Sequence, residues 1–143
     1  MVFFKPDAML RGVIGEIISR FERRGLKLVA SKMIALDRKF AEKHYAEHVG
    51  KPFFDSLVEY VSMSPVLVCV IEGENAISIV RSLAGATNPI NAQPGSVRGD
   101  YGITGKNIYN VIHASDSPES ARREVSLFFS TSEIFSYEKK WNP

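Results

Sequence analysis

The run Val66-Leu67-Val68-Cys69-Val70-Ile71 contains no polar side chain. A segment apolar on both faces cannot be a surface strand, so it reads as a central strand covered on two sides. The neighbouring segments supply the cover. Within Arg11 to Arg24, Ile14, Ile17, Ile18 and Phe21 follow i, i+3, i+4, i+7 spacing, with Gly25 as C-cap. Ala76, Ile79, Val80 and Leu83 repeat that pattern. Asp37 can N-cap a short helix carrying Phe40, Ala41, His44, Tyr45 and His48. After the Gly50-Lys51-Pro52 break, Phe54, Leu57, Val58 and Val61 fall at helical spacing again.

Three further segments are strand-like. Val2-Phe3-Phe4 is ended by Lys5-Pro6-Asp7, and Asn110-Val111-Ile112-His113 is short. In Leu26 to Leu36, Leu26, Leu28 and Ala30 alternate with Lys27, Val29 and Ser31. Ser117-Pro118-Glu119 opens a last helix with an N-cap, a proline at N1 and a first-turn acid. The tail from Thr131 to Pro143 reads as a helical turn or two and an exposed end. The order is β-α-β, a helical pair, then β-α-loop-β-α. Two βαβ halves predict an α+β ferredoxin-like sandwich, a four-stranded antiparallel sheet with helices on one face. The helical pair and a loop over about 85–106 are additions to it. That loop holds five of the ten glycines and two prolines, and a segment so long without periodicity is usually functional or disordered. Residues 1–143 are expected to form one domain.

Cys69, the one cysteine, excludes an internal disulfide and lies in the apolar run, so a buried thiol is expected. Lys5 and Asp7 interrupt the only apolar N-terminal stretch, and no run approaches bilayer length. A cytoplasmic protein without a membrane partner is therefore expected. A net charge of +2 gives no argument for a nucleic-acid partner.

Chemistry concentrates at Asn110-Val-Ile-His113-Ala-Ser115-Asp116-Ser, where a histidine closes a strand ahead of a capped helix. On that helix Ala121, Val125 and Phe128 face inward, and Glu124 shares their stripe. A carboxylate on an apolar face needs a partner, and His113 is the candidate. Such a carboxylate fixes one imidazole nitrogen and leaves the other free to act as nucleophile or base. Periodicity alone leaves open the alternative that Glu124 sits at the stripe's edge, in water.

Eight segments together resemble the nucleoside diphosphate kinase family, in its order and nearly its spacing. They are Lys5-Pro6-Asp7-Ala8, Arg11-Gly12, Gly15-Glu16-Ile17, His44-Tyr45, Pro52-Phe53-Phe54, Gly85-Ala86-Thr87-Asn88-Pro89, Pro94 to Asp100, and Asn110 to Ser117. The resemblance implies a two-step exchange. His113 takes the γ-phosphate of a nucleoside triphosphate as a phosphohistidine, and a second nucleoside diphosphate then removes it. It implies that Lys5, Arg81 and Arg98 hold the phosphates, with a hydroxyl contact from Thr87. By the same resemblance Tyr45 bonds near the histidine, Asn110 and Lys5 contact the ribose, and Phe53 stacks on the base beside Leu57. Ser115 lies beside the nucleophile, and Glu124 orients the imidazole. Mg²⁺ is implied as a companion of the nucleotide phosphates, with no metal-ligating residues of the protein. A homo-oligomer, favoured as a hexamer with the 85–106 loop near its threefold contacts, is implied as well. Stacking carries little base identity, so broad nucleotide acceptance is expected.

The chain departs from the common family pattern in three respects. Ala114 replaces the usual glycine, two residues are added around Ile103 to Tyr109 as in archaeal-type members, and the C-terminal contacts that some members make with neighbouring subunits are expected to be missing. Two rivals remain: a non-catalytic nucleotide-binding module, which would be expected to lack the histidine or its clamp, and a phosphohydrolase, which would need a water-activating base. Other signals are weaker. Gly102 to Asn107 has the wrong spacing for a phosphate loop. Arg98-Gly99-Asp100 spells an adhesion tripeptide in a chain with no sign of secretion. His44 and His48 stand a helical turn apart with no third metal ligand apparent. Arg20, Arg23, Arg24 and Lys27 suit a solvated helix end.

Overall fold

The computed structural model describes residues 1–105 and 108–139. Its sheet has four strands, β1 (Val2–Phe4), β2 (Lys27–Ile34), β3 (Val66–Glu72) and β4 (Ile112–Ala114), in the order β2-β3-β1-β4. All three pairings are antiparallel. The apolar run is thus one of the two inner strands, as its sequence demands. The other inner strand is β1, which pairs Phe3 with Val68 on one side and with His113 on the other.

Alternation along β1 sends neighbouring side chains to opposite faces. Val2 and Phe4 join Ile17, Phe21 and Val80 in one core, while Phe3 joins Ala41, Val58, Val61 and Phe128 in another. The first core lies under α2 (Ile14–Arg23) and α5 (Ala76–Ala84). The second lies under the added pair α3 (Arg38–His44) and α4 (Phe54–Ser62), together with α7 (Pro118–Phe128). Helices therefore cover both faces of the sheet, the added pair filling the face that a minimal two-βαβ frame leaves open.

Four local readings change. The helix expected over Arg11 to Arg24 starts only at Ile14, as α2, and a further helix, α1 (Pro6–Arg11), precedes it. They are separated at Gly12, whose φ of 67° lets its N–H reach the Ala8 and Met9 carbonyls. Pro6, which ends the strand, is also the N1 residue of α1. The alternation in β2 breaks at a register shift between Leu28 and Ala30, so Val29 and Ala30 are both buried. The glycine-rich stretch is not structureless. Asn88 caps a 3₁₀ turn over Pro89–Asn91, and Ser96 Oγ accepts from the Gly99 amide to start α6 (Val97–Tyr101). A Cβ at Gly99 would collide with the Gln93 carbonyl, which explains glycine there. Finally, Asp37 caps α3 as expected, but that helix stops at Tyr45 and His48 lies in a separate 3₁₀ turn.

Ser117 caps α7 through the Ser120 amide, with Pro118 at N1. The lengthened stretch is closed by paired backbone bonds between Ile103 and Tyr109, at 2.9 and 3.0 Å. The expectations for Lys106, at the end of the glycine-rich loop, for Asn107 in the lengthened stretch and for 140–143 in the tail lie outside the described residues. Among the described residues no helix is long and apolar enough to cross a membrane.

Candidate active site

His113 lies on β4, its ring stacked on Phe3 with centroids 5.1 Å apart and an interplanar angle of 21°. From α7, Glu124 reaches back so that both carboxylate oxygens stand 3.1 Å from His113 Nε2. Glu124 is 4% exposed, which removes the reading of it as a solvated edge residue. Ser115 Oγ donates to Glu124 Oε2 at 2.5 Å and is itself anchored by its amide on the Met1 carbonyl. An ionised carboxylate only accepts, so the imidazole proton belongs on Nε2 and Nδ1 keeps its lone pair. Burial pulls the His113 pKa below its usual value, and the opposing bond to Glu124 does not offset this. Burial would raise the Glu124 carboxyl, but its bonds to His113 and Ser115 win and hold it low. The pair is a neutral imidazole on a carboxylate.

These groups line a cavity of about 440 Å³. Lys5, Tyr45, Phe53, Leu57, Arg81, Thr87, Arg98, Asn110, His113 and Glu124 all border it, so every one of these expected residues is brought together. Ser115 stands behind Glu124 rather than on the wall. Cationic groups converge from three segments. Lys5 Nζ donates to Asn110 Oδ1 at 2.6 Å, and Asn110 Nδ2 donates to the Thr87 carbonyl at 3.0 Å. Arg98 spends one N–H on each of three carbonyls: Gly85 at 2.9 Å, Ile112 at 2.8 Å and Asn110 at 3.3 Å. A guanidinium has five donors, so among the described residues two remain for a ligand. Arg81 is more open and lies 3.5 Å from the Ala114 carbonyl.

Burial, reinforced by Arg98 and opposed by Asp7, pulls Lys5 down to about 8. Burial and then Arg81 bring Arg98 to about 10, which leaves it charged at neutral pH. Crowded, partly desolvated cations facing one space mark a polyanion site. At the cavity's rim Phe53 is 50% exposed, with His48 edge-on to its ring at 5.4 Å. A flat aromatic face is thus presented to solvent beside half-buried Leu57.

Three residues here are not among those expected at the site. The Asp7 carboxylate accepts the Val111 amide at 3.1 Å and the Tyr60 hydroxyl. Val111 carries a φ of 69°, rare for a β-branched residue, and the Ile112 amide closes a γ-turn on the Asn110 carbonyl at 2.7 Å. That strained turn aims Asn110 and His113 into the same cavity, and Asp7 holds it. His44 is 6% exposed, packs edge-on to His113 at 4.8 Å, and among the described residues neither ring nitrogen has a partner. Burial, then the neighbouring His113, drives its pKa to about 3. Its place one turn after Phe40 and Ala41 was the available clue. The Tyr45 hydroxyl is also buried without a partner.

A family profile described as nucleoside diphosphate kinase matches residues 1–134. The chain is 62% identical over 140 residues to a nucleoside diphosphate kinase of Thermococcus kodakarensis, covering 97% of this chain and 80% of that one. It is 60% identical to one of Pyrococcus furiosus, over 97% and 87%. Among solved structures, a nucleoside-diphosphate kinase of Borrelia burgdorferi, described as a transition-state mimic with vanadate and ADP, superposes with a TM-score of 0.90. It is 42% identical, over 96% of this chain and 90% of that one. One from Halobacterium salinarum in complex with CDP gives 0.89 at 43% identity, over 96% and 91%. A match of this extent to phosphotransferases with one fold, joined to a histidine poised over a cationic cavity, establishes that the chain belongs to the nucleoside diphosphate kinase family.

Proposed function

We propose that His113 carries the family's phosphoryl exchange through Nδ1, with Glu124 as its orienting partner. The observation that bears most weight is the Nε2–Glu124 contact, which leaves Nδ1 free beside the cationic cavity. In the first half-reaction the Nδ1 lone pair forms a bond to the γ-phosphorus, and the bond from phosphorus to the bridging oxygen breaks. The nucleoside diphosphate leaves, and a second one reverses the steps. Transfer of this kind depends on positioning and on neutralising the equatorial oxygens. Arg98, Arg81 and Lys5 take those oxygens, and planar guanidinium forks suit them. The Tyr45 hydroxyl, without a partner among the described residues, and Thr87 complete the phosphate contacts. Asn110, bridging Lys5 and Thr87, takes the ribose with Lys5. Phe53 and Leu57 receive the base. The B. burgdorferi structure with vanadate and ADP supports this reading of the cavity.

The family requires a divalent metal. We propose Mg²⁺, entering with the nucleotide as part of the substrate, where it would offset the charge of the phosphates. Among the described residues the one cluster able to hold an ion pairs two histidines with Glu124, a donor set poorly suited to Mg²⁺. The whole chain is proposed to act as one cytoplasmic catalytic domain. It assembles as a homohexamer, in keeping with Ile90, 73% exposed on the glycine-rich stretch. Light scattering that finds only monomer would reject that assembly.

The activity is tested by incubation with γ-labelled ATP. Label stable to base, labile to acid and transferable to GDP is expected. Release of free phosphate without transfer would sink the proposal in favour of hydrolysis. A pH series adds a second check. The nucleophile must be neutral, and its pKa lies below the usual histidine value, so the acid limb of kcat/KM falls below pH 6.5. Lys5 must be charged, so kcat/KM declines as pH rises through about 8, the value to which burial lowers it. Bound phosphate would hold that proton, moving the alkaline limb of kcat higher. Lys5→Arg should remove the limb near 8, since a guanidinium stays charged throughout. A kcat/KM still rising from pH 7 to 9 would contradict both assignments.

A further inference from the structure

His44, His113 and Glu124 each offer a ligand atom, and the three atoms lie within 4.8 Å of one another. The cluster draws on α3, β4 and α7, so three separate elements deliver it. His44 is 6% exposed, yet among the described residues both its nitrogens lack a partner, a costly state for a buried polar group. The Tyr45 ring packs edge-on to it at 4.5 Å, and the Tyr45 hydroxyl too lacks a partner among the described residues. Two imidazoles and a carboxylate beside an open cavity form a three-ligand set of the kind that holds zinc with a fourth position free. Tetrahedral zinc needs ligands about 2.1 Å from the ion and hence about 3.4 Å apart. The His113 Nε2–Glu124 pair already stands at 3.1 Å, so only a shift of His44 closes the shell.

We propose that this cluster is an inhibitory site for a zinc-class transition ion, bound by His44, His113 and Glu124. Nε2 is the nitrogen that faces Glu124, and so the one that an ion shared with Glu124 takes. Coordination uses the Nε2 lone pair. The ring proton therefore moves from Nε2 to Nδ1, with no net release, and the attacking lone pair on Nδ1 becomes an N–H. Glu124 gives up its hydrogen bond and donates an oxygen to the ion. The enzyme's nucleophile is thus silenced by a change of tautomer, with the phosphate clamp left in place. Mg²⁺ does not compete, because it prefers oxygen ligands and keeps its waters. The inhibition rests on His113 as nucleophile; the binding does not.

The test loads the full-length enzyme with Co²⁺ in excess Mg²⁺ and records the visible spectrum. It then follows label uptake from γ-labelled ATP after preincubation with Zn²⁺. The intense bands of four-coordinate cobalt are expected, abolished in His44→Gln and retained in His48→Gln. Zinc should suppress uptake in the native enzyme, and His44→Gln should need more than about tenfold more zinc, at least the loss that removing an outer-shell partner causes. If that variant fails to fold, Glu124→Gln serves for the cobalt arm. Absence of the bands, or bands unchanged in His44→Gln, overturns the site. Zinc bound with uptake unaffected overturns the tautomer switch. Label missing even without zinc would instead indict His113 as the nucleophile.

Discussion

His113→Ala is expected to lose phosphoryl exchange by on the order of 10⁶-fold, the scale seen when a covalent nucleophile is deleted. Nucleotide binding should survive, because Lys5, Arg81 and Arg98 reach the cavity from other segments. The sharpest readout is the split between these two: no acid-labile label on the protein, with ADP affinity changed by less than about tenfold, or 1.4 kcal/mol. Removal of the imidazole also strips Glu124 of a partner in a buried position, though Ser115 still donates to it. A stability loss of about 1–3 kcal/mol is expected from that alone. His113→Asn, which returns an N–H donor, should recover stability without activity. Residual exchange within a hundredfold of the native rate would mean that phosphate does not travel through this residue.

Arg98→Ala carries the second largest effect, and it should appear in two measurements at once. As part of the clamp, its loss should lower kcat by about 10²–10³-fold, as for a deleted oxyanion donor. As a structural group it satisfies the carbonyls of Gly85, Asn110 and Ile112. Loss of those partners should destabilise the fold by about 1–3 kcal/mol for each group left unpaired, less where water enters. Arg98→Lys keeps a charge but cannot fork to three carbonyls, so it should melt nearly as early as the alanine variant. A normal melting temperature in Arg98→Ala would show that these bonds contribute little. A normal kcat would remove Arg98 from the clamp.

What could be read from the sequence follows from range. Val66–Ile71 announces an inner strand by itself, and Ser117-Pro118 announces the start of α7, because both signals are local. Glu124 was visible as a carboxylate within an apolar stripe, but only the packing of α7 on the sheet decided that it faces His113. The helix α6 escaped because five residues are too few to show a period. The bulge in β2 escaped because Leu28, Val29 and Ala30 are all apolar enough for either register. Asp7 and Tyr60 are 53 residues apart in sequence, and nothing near either one predicts the bond. One continuous helix would set His44 and His48 a turn apart on the same face. The break at Tyr45 sends His44 to His113 instead.

The position of β1 between β3 and β4 has a temporal consequence. Residues 2–4 are made before their partners, which lie at 67–69 and 112–114. On the ribosome, Val2, Phe3 and Phe4 gain their first partner only when β3 emerges and their second only when β4 does. Contacts such as Lys5 with Asn110, separated by 105 residues, make closure slow compared with helix formation. The nascent chain therefore keeps one edge of this apolar strand open, and open to chaperone capture, until residues 112–114 emerge. Phosphate-transfer competence arrives in one late event, when the first strand is enclosed by the last.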